Sequence, residues 1–337
     1  MARHSDAETA ADPVISVRDL TKVYGQGDAA VRAVDGVSFD ISPGTVVGVL
    51  GPNGAGKTSA IKMMLGLITP TAGDVRIAGT DALSNTTAIY RHVGAMLEGA
   101  RNVYWRLTVR ENVEFFASLN GFDPKRTADY HDALIERYGL EDKADTPVRE
   151  LSRGMKQKVS LLCTLARQTD VIFLDEPTLG LDVETSLDLR QEIRRLTDDR
   201  SMTVVLSSHD MDLVEAVCDR VIIVRAGRIV ADDTVENLVE LFRTQAYQLT
   251  VGSPLSEAAK DRLEHRYNAQ GWERIGEHVR FEATPRSEDS VYTLLNELQR
   301  EAVPLVSIQS LQPDLENVFL ELTTEAARPE TQNGGER

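Results

Sequence analysis

Nine consecutive residues early in the chain are of the types that bind the phosphates of a nucleoside triphosphate. The first eight match the pattern G-x-x-x-x-G-K-S/T. The glycines let successive backbone N–H groups turn toward phosphate oxygens without a Cβ in the way. Lys57 is expected to reach the β- and γ-phosphates, and the Thr58 hydroxyl is the expected Mg²⁺ ligand. The predicted nucleotide-binding residues of this loop are Gly51, Pro52, Asn53, Gly54, Ala55, Gly56, Lys57, Thr58 and Ser59.

The elements on either side of this loop are those that such a motif requires. Residues 45–50 form a continuous apolar, β-branched run, which predicts a strand buried on both faces. Residues 59–67 carry apolar groups at helical spacing and predict a helix. A helix that begins at the loop adds its partial positive charge to the phosphate site. A glycine turn with a chance lysine is the remaining alternative.

Two adjacent carboxylates end a second apolar run. Residues 171–174 predict a strand, and Asp175 and Glu176 follow it directly. A strand that carries acids at its C-terminal end delivers them to the ligand crevice of a parallel α/β sheet. Asp175 is therefore expected to hold Mg²⁺ through water, and Glu176 to polarise the water that attacks the γ-phosphate. An acidic turn after a core strand is the alternative.

A third segment resembles the signature of the ATP-binding cassette (ABC) ATPases. The run Leu151-Ser-Arg-Gly-Met155 matches the family's Leu-Ser-Gly-Gly-Gln, with Arg153 replacing the first glycine and Met155 the glutamine. In that family the serine and glycine clamp the γ-phosphate bound by a second subunit, so the resemblance implies this role for Ser152 and Gly154. By local chemistry alone, the segment is a serine N-cap before a basic helical turn.

Three further positions stand in the order that the ABC family has them. Tyr24 resembles the aromatic residue that stacks on adenine, His209 the switch histidine that contacts the γ-phosphate, and Asp182 the aspartate that lines the dimer seam. Without the resemblance, Tyr24 would be interpreted as a packed strand residue, His209 as a solvated residue at a strand end and Asp182 as a helix N-cap. Glu98 departs from the pattern, because the family places a glutamine there; the carboxylate keeps an acceptor near Mg²⁺ but adds negative charge.

The resemblance covers about residues 14–242 and identifies the chain as a member of the ABC ATPases, most similar to subunits of drug- and antibiotic-export transporters. It implies an α/β P-loop ATPase domain over residues 14–243. A helical subdomain at about 98–150 is expected to receive a short helix of a membrane permease in its groove. Residues 1–13 are predicted to be disordered.

The pattern changes after residue 243, where no ATPase motif is present. Alternating and helical spacings predict a small α+β accessory domain over residues 244–325, of the split βαβ type. Its predicted elements are a strand at 246–251, a helix at 256–267, a strand at 278–283, a helix at 287–301, a strand at 304–311 and a helix at 315–320. The polar residues 326–337 are predicted to be disordered.

Composition limits the classes of function. A chain of 337 residues suits one domain of about 240 residues and a smaller one. Its net charge of −16 argues against a nucleic-acid partner. No run approaches the roughly 18 to 20 apolar residues of a membrane span, so the chain is predicted to be soluble. Cys163 and Cys218 lack metal-type spacing, which indicates reduced thiols in the cytosol.

These features predict an ATPase that uses ATP and Mg²⁺ and works as a homodimer at the cytoplasmic face of the cell membrane. It would drive export through a separate permease, which itself forms the substrate path. The alternative is a non-transport ABC ATPase that acts on a soluble macromolecular partner. A catalytically dead regulatory module is opposed by four intact residues, Lys57, Asp175, Glu176 and His209.

Overall fold

The computed structural model describes residues 12–97, 102–123, 125–200, 202–241, 246–252, 255–284, 289–311 and 315–324. The chain divides into two compact units. The first runs to Val235 and resumes at Glu321, and the second spans Glu236–Leu320. Glu98, the tail at 326–337 and most of the N-terminal segment predicted to be disordered lie outside the described residues.

The first unit contains ten strands among its described residues. They are β1 Ile15–Tyr24, β2 Val31–Ile41, β3 Val46–Leu50, β4 Ala72–Ile77, β5 Thr80–Asp81, β6 Val93–Met96, β7 Val171–Asp175, β8 Thr203–Ser207, β9 Arg220–Arg225 and β10 Arg228–Thr234. The α-helices that begin in this unit are α1 Lys57–Met64, α2 Thr86–Ile89, α3 Val109–Leu119, α4 Ala128–Arg137, α5 Arg153–Leu165, α6 Val183–Arg200, α7 Met211–Val217 and α8 Val235–Leu241.

A six-stranded sheet in the order β10-β9-β3-β8-β7-β6 forms the centre of this unit. The strands from β9 to β6 are parallel to their neighbours, and β10 is antiparallel to β9. Every residue of β3, β7 and β8 is buried. Burial on both faces explains why these strands are continuous apolar runs rather than alternating ones.

An antiparallel sheet in the order β2-β1-β4-β5 forms the second layer. Its apolar residues share one core with α1 and the central sheet, including Ile41, Met63 and Phe173. The helix α1 begins at Lys57 and ends at Met64, whereas the sequence predicted residues 59–67. It ends early because Gly66 takes a φ of +66°, the left-handed conformation that terminates helices.

The helices α3 and α4 lie within the predicted helical subdomain. Thr108 and Glu111 form a capping box that fixes the start of α3. The side chain of Asn112 is fully buried and bonds the loop before α3: its Oδ1 accepts from the Tyr104 N–H at 2.7 Å, and its Nδ2 donates to the Thr108 carbonyl at 2.8 Å. This buried amide therefore determines the path of the loop at 104–108.

The second unit is a four-stranded antiparallel sheet with two helices packed on one face. Its elements are β11 Ala246–Gly252, α9 Glu257–Tyr267, β12 Gln270–Ile275, β13 His278–Ala283, α10 Asp289–Arg300 and β14 Leu305–Leu311, and α11 Leu315–Thr324 follows. The order β12-β13-β11-β14 is that of a split βαβ arrangement. The predicted α/β fold with a C-terminal α+β part is confirmed, but the sequence analysis missed β12.

Candidate functional site

The central sheet brings the predicted catalytic residues to one edge. In the sheet β3 pairs in parallel with β8, and β8 with β7, so their C-terminal ends point the same way. The phosphate loop follows β3, Asp175 ends β7 with Glu176 directly after it, and His209 lies two residues after β8. Parallel order alone thus gathers groups that lie more than a hundred residues apart in the chain, at the edge where such sheets bind ligands.

The phosphate loop is built closely enough that only glycine fits at several positions. Gly54 and Gly56 have φ values of +81° and +106°. A Cβ on Gly56 would overlap the Ala33 carbonyl oxygen, and one on Gly51 would overlap the Val224 carbonyl oxygen. The backbone is therefore held in a tight curve between two neighbouring strands, which suits it to wrap an anion with N–H groups.

Lys57 is the first residue of α1, and its side chain is buried within the loop. Its Nζ donates to the Gly51 carbonyl at 2.5 Å and to the Pro52 carbonyl at 3.3 Å. Thr58 follows in the first helical turn, and Asp175 is buried at the end of β7. No cluster of three or more His, Cys, Asp or Glu residues suited to a metal occurs in the described part of the chain. A hydroxyl and one carboxylate fit Mg²⁺ bound together with substrate phosphates, which needs few protein ligands.

Glu176 has an unusual backbone and a defined partner. Its φ is +51°, and its N–H donates to the Ser207 carbonyl at 2.8 Å, which holds the residue at the end of β8. Its Oε2 lies 2.7 Å from Nδ1 of His209. The Glu176 side chain is only 12% exposed, whereas that of His209 is 70% exposed. The pair therefore joins a shielded carboxylate to an imidazole that faces solvent.

Burial determines the acidity of Glu176. Loss of solvent raises the pKa of this carboxyl above its ordinary value; His209 opposes the shift, and the charge of Asp175 adds to it. A raised pKa makes the carboxylate a stronger base than an ordinary glutamate. This property suits a group that accepts a proton from an attacking water molecule.

Tyr24 lies beside the phosphate loop. It ends β1, and its hydroxyl is 3.3 Å from Oγ of Ser59 in α1. Lys22 Nζ is 5.1 Å from the centroid of the Tyr24 ring. The ring is partly exposed, so one aromatic ring is available next to the residues predicted to hold phosphates.

The signature residues lie elsewhere on the same chain. Ser152 is the N-cap of α5, and its Oγ accepts from the Met155 N–H at 3.2 Å. Asp182 caps α6 by accepting from the Thr185 N–H at 2.8 Å, which lowers the pKa of Asp182. Among the described residues, no hydrogen bond joins Ser152, Gly154 or Asp182 to the phosphate loop of the same protomer.

The sequence-predicted residues therefore fall into two groups. The structure brings the phosphate loop, Tyr24, Asp175, Glu176 and His209 to one edge of the sheet. It places Ser152 and Gly154 at the start of α5, and Asp182 at the start of α6. Their assigned roles remain proposals, and the possible Mg²⁺ contact of Glu98 lies outside the described residues.

One surface was only partly anticipated from the sequence. Tyr104, Trp105, Phe115 and Leu119 are exposed, and we call them the aromatic surface. The Tyr104 and Phe115 rings meet edge to face with centroids 4.8 Å apart. The sequence analysis did not predict that these side chains are exposed together. The signal was present in α3, where buried Val113 and Ala117 occupy one face and Phe115 and Leu119 extend from another.

No helix in the described part of the chain is both long and apolar enough to cross a lipid bilayer.

Comparisons with known proteins give a consistent result. A model of the ABC transporter family matches residues 34–179. The ABC transporter ATP-binding protein NatA of Bacillus subtilis is 33% identical over 232 residues, which is 69% of this chain and 94% of that protein. The daunorubicin resistance ATP-binding protein DrrA3 of Streptomyces coeruleorubidus is 29% identical over 329 residues, which is 94% of this chain and 98% of that protein.

Among solved structures, the dimeric ATP-binding cassette MJ0796 in a post-hydrolysis state, bound to ADP and Pi, is similar. It aligns with a TM-score of 0.60 at 25% identity and covers 65% of this chain and 98% of its own.

Proposed function

This chain belongs to the ABC transporter ATP-binding proteins, and from that membership we propose that it drives export of a substrate through a separate membrane permease. It is an ATPase that converts ATP and water to ADP and phosphate, coupled to transport. The observation that carries the proposal is the convergence of the phosphate loop, Asp175, Glu176 and His209 at one sheet edge. Export, rather than import, is supported by the likeness to the Nod factor export ATP-binding protein I of Burkholderia thailandensis, which is 39% identical over 207 residues.

In the proposed mechanism, the phosphate loop binds the β- and γ-phosphates through its backbone N–H groups and Lys57. Tyr24 would stack on adenine. Thr58 and Asp175 would hold Mg²⁺, which supplies positive charge beside the phosphates. Because ATP carries several negative charges, a tight curve of N–H donors and the α1 N-terminus stabilise it at close range.

Glu176 is proposed as the general base. Its Oε2 accepts a proton as the water attacks the γ-phosphorus, and the bond between phosphorus and the leaving oxygen breaks in line. The 2.7 Å contact with His209 orients the carboxylate. His209 itself would contact the γ-phosphate. Glu176 directly follows β7 and is held by the hydrogen bond from its N–H to the Ser207 carbonyl, which limits the freedom that it loses on reaching the transition state.

We extend the proposal to a homodimer with two composite sites, in which Ser152 and Gly154 act on the nucleotide of the partner. The first turn of α5 contains no acidic residue, so its N-terminal dipole is available to a phosphate. Leu179, Val183 and Leu187 are exposed apolar residues beside Asp182, as expected of a surface that a second subunit covers. The dimeric state of MJ0796 supports this arrangement.

The aromatic surface is the proposed contact with the permease. Clustered exposed aromatic side chains indicate a protein interface more strongly than single ones do. Association with a permease would place the chain at the cytoplasmic face of the membrane. The non-transport alternative is less well supported, because the similar proteins carry transporter and resistance names.

The decisive experiment is Glu176→Gln in the full chain. Removing the base should lower kcat by about a hundredfold or more, while ATP affinity is kept because no phosphate donor is lost. Size-exclusion chromatography should then show an ATP-dependent dimer that persists. The matched control is Glu282→Gln in β13, which should behave as the unmodified chain. Full ATPase activity of Glu176→Gln would refute the assigned role.

The permease contact is tested by Leu119→Asp. We expect this variant to keep the ATPase activity of the isolated protein and to lose capture of a polytopic permease from detergent-solubilised membranes of the source cell. Val230→Asp, an equally drastic change at an exposed site on β10, should retain capture. Equal capture by all three proteins would remove the aromatic surface from the interface.

A further inference from the structure

Arg153 departs from the family pattern, and the structure shows where its side chain lies. Arg153 is the first residue of α5, and its guanidinium lies against Gly180. A Cβ built on Gly180 would overlap the guanidinium carbon and would lie 2.5 Å from Nη2. Gly180 has a φ of +76°, which favours glycine as well. A side chain at residue 180 would therefore displace the Arg153 guanidinium from this position.

One hydrogen bond and one close approach join the same pair of elements. The Gln157 Nε2 donates to the Pro177 carbonyl at 2.9 Å. The Cβ position of Gly154 lies 3.8 Å from Oγ1 of Thr185. The first turns of α5 are thus in contact with residues 177–185, which we call the linking segment. This segment begins directly after Glu176.

Packing, rather than charge pairing, places the Arg153 side chain. In the part of the chain that the structure describes, Arg153 forms no ion pair, and the nearby carboxylate of Asp182 accepts from a backbone N–H in its own helix. A cation at a helix N-terminus is unfavourable, because the helix dipole already places partial positive charge there. The planar guanidinium covers the bare backbone of Gly180, a contact that a lysine ammonium has no flat surface to make.

We propose that Arg153 is a positioning residue for ATP hydrolysis, because it fixes the linking segment against the signature helix. Through this contact, the distance between Glu176, which precedes the linking segment, and Ser152, which caps α5, stays fixed. The inference rests on the proposed function, in which Glu176 acts on the nucleotide of its own protomer and Ser152 on that of the partner. Arg153 thereby couples the two composite sites within each protomer.

The first test compares three variants of the full chain. Arg153→Ala should lower kcat about fivefold or more, with KM and ATP affinity unchanged, because the contact positions groups and does not touch ATP. Arg153→Lys should be impaired as well, since charge alone is not the feature used. Lys156→Ala removes a cation from the same turn, whose Nζ contacts the Arg149 carbonyl, and should stay within about twofold. Full rescue by Arg153→Lys, or normal kcat in Arg153→Ala, would overturn the proposal.

The second test is a double-mutant cycle with Gly180→Ala. Backbone strain at residue 180 is the same in both backgrounds, so it cancels from the cycle. The added methyl group overlaps the guanidinium only when Arg153 is present. Gly180→Ala should therefore cost kcat at least about threefold more in the unmodified chain than in Arg153→Ala. Multiplicative, independent effects would contradict the coupling.

Failure of this inference is distinguishable from failure of the proposed function. If the unmodified chain hydrolyses ATP and Glu176→Gln does not, the proposed function stands whatever Arg153→Ala does. Circular dichroism of each variant identifies any that do not fold. Should Gly180→Ala fail to fold, the comparison of Arg153→Ala with Arg153→Lys and Lys156→Ala still decides the matter.

Discussion

Glu176 shows how backbone and chemistry are linked at the level of one residue. A non-glycine residue in the left-handed region costs about 1–2 kcal/mol. Here the conformation is held by the hydrogen bond from its N–H to the Ser207 carbonyl, at the end of a fully buried strand. This strained conformation turns the chain away from the direction of β7, so that the carboxylate contacts His209. Stable neighbouring strands thus maintain a costly conformation at the proposed catalytic base.

The acidity of Glu176 leads to a prediction for the pH profile. Because burial raises the pKa of this carboxyl, kcat/KM should fall on the acid side at a pH above the ordinary glutamate value of about 4.3. The contact with His209 lowers the pKa of Glu176, so His209→Ala should move this acid limb to still higher pH. The profile is measured as kcat/KM against pH for both proteins. An acid limb that moves to lower pH in His209→Ala would contradict the assignment of Glu176 as the titrating base.

A second prediction for single residues distinguishes ATP binding within one protomer from action on the nucleotide of the partner. Lys57→Ala should weaken ATP binding to the monomer about tenfold or more, because a buried ammonium beside the phosphates is lost. Ser152→Ala should leave monomer affinity unchanged and lower hydrolysis. Equilibrium binding of a fluorescent ATP analogue to dilute protein measures the first quantity, and steady-state ATPase assays measure the second.

Ser152→Ala also removes a helix N-cap, which by itself costs about 0.5–2 kcal/mol of stability. Ser256→Ala removes the same kind of cap from α9, where Ser256 accepts from the Ala259 N–H at 3.1 Å, and it serves as the control. Equal loss of monomer affinity in Lys57→Ala and Ser152→Ala would exclude the composite-site proposal.

At the scale of elements, α3 both builds a core and presents an interface. Its buried face carries Val109, Val113 and Ala117, while Phe115 and Leu119 face outward. Asn112 stands on the buried face, yet it stabilises the loop rather than the core, because its amide replaces water for the backbone groups of Tyr104 and Thr108. Asn112 thus helps to hold Tyr104 in the aromatic surface, together with the hydrogen bond from the Leu107 N–H to the Tyr104 carbonyl.

We therefore predict that Asn112→Ala lowers the free energy of unfolding by about 1–3 kcal/mol, since it removes a buried amide and leaves the Tyr104 N–H without its acceptor. The isolated protein should keep its ATPase activity within about twofold, because the nucleotide residues lie on other elements, and permease capture should fall. Thermal unfolding and the capture assay measure these effects. Ser118→Ala, an exposed change in the same helix, is the control, and the proposal fails if Asn112→Ala captures as well as this control.

At the scale of the whole molecule, the site belongs to the first unit, and the second unit has its own core. Phe281, Leu263 and Leu294 are among the buried residues of that second core. The C-terminal helix returns to the first unit, where the Leu322 carbonyl accepts from Nη1 of Arg225 at 3.4 Å. The last helix therefore contributes to both units, and the domain boundary near residue 243 stays a proposal.

A chain that ends at residue 243 should fold and hydrolyse ATP at high protein concentration, because all the strands that carry the site lie upstream. If the second unit adds dimer contact, specific activity of the truncated chain should fall more steeply on dilution. ATPase assays over a dilution series, with circular dichroism for folding, test both statements. If the dilution curves of the full and truncated chains superimpose, the second unit has no role in dimer contact. An unfolded truncated chain would show that the boundary cuts through a shared core.

The sequence by itself determined the features that depend on local chemistry. The glycine pattern of residues 51–56 requires a tight loop, and the apolar runs of β3, β7 and β8 require strands buried on both faces, so the α/β fold and the nucleotide site could be predicted. The strand β12 could not, because Gln270–Ile275 lacks clear alternation and its pairing with β13 contains an irregularity. Its extended form is imposed by its neighbour.

Only the tertiary structure decided which side chains meet. The pairing of Glu176 with His209 depends on the parallel order of β7 and β8 and on a left-handed backbone, neither of which a list of residue types contains. The contact of Arg153 with Gly180 depends likewise on how α5 packs against the linking segment. Local sequence sets what a segment can form, whereas contacts between distant segments follow from the burial of their shared core, which is a property of the whole chain.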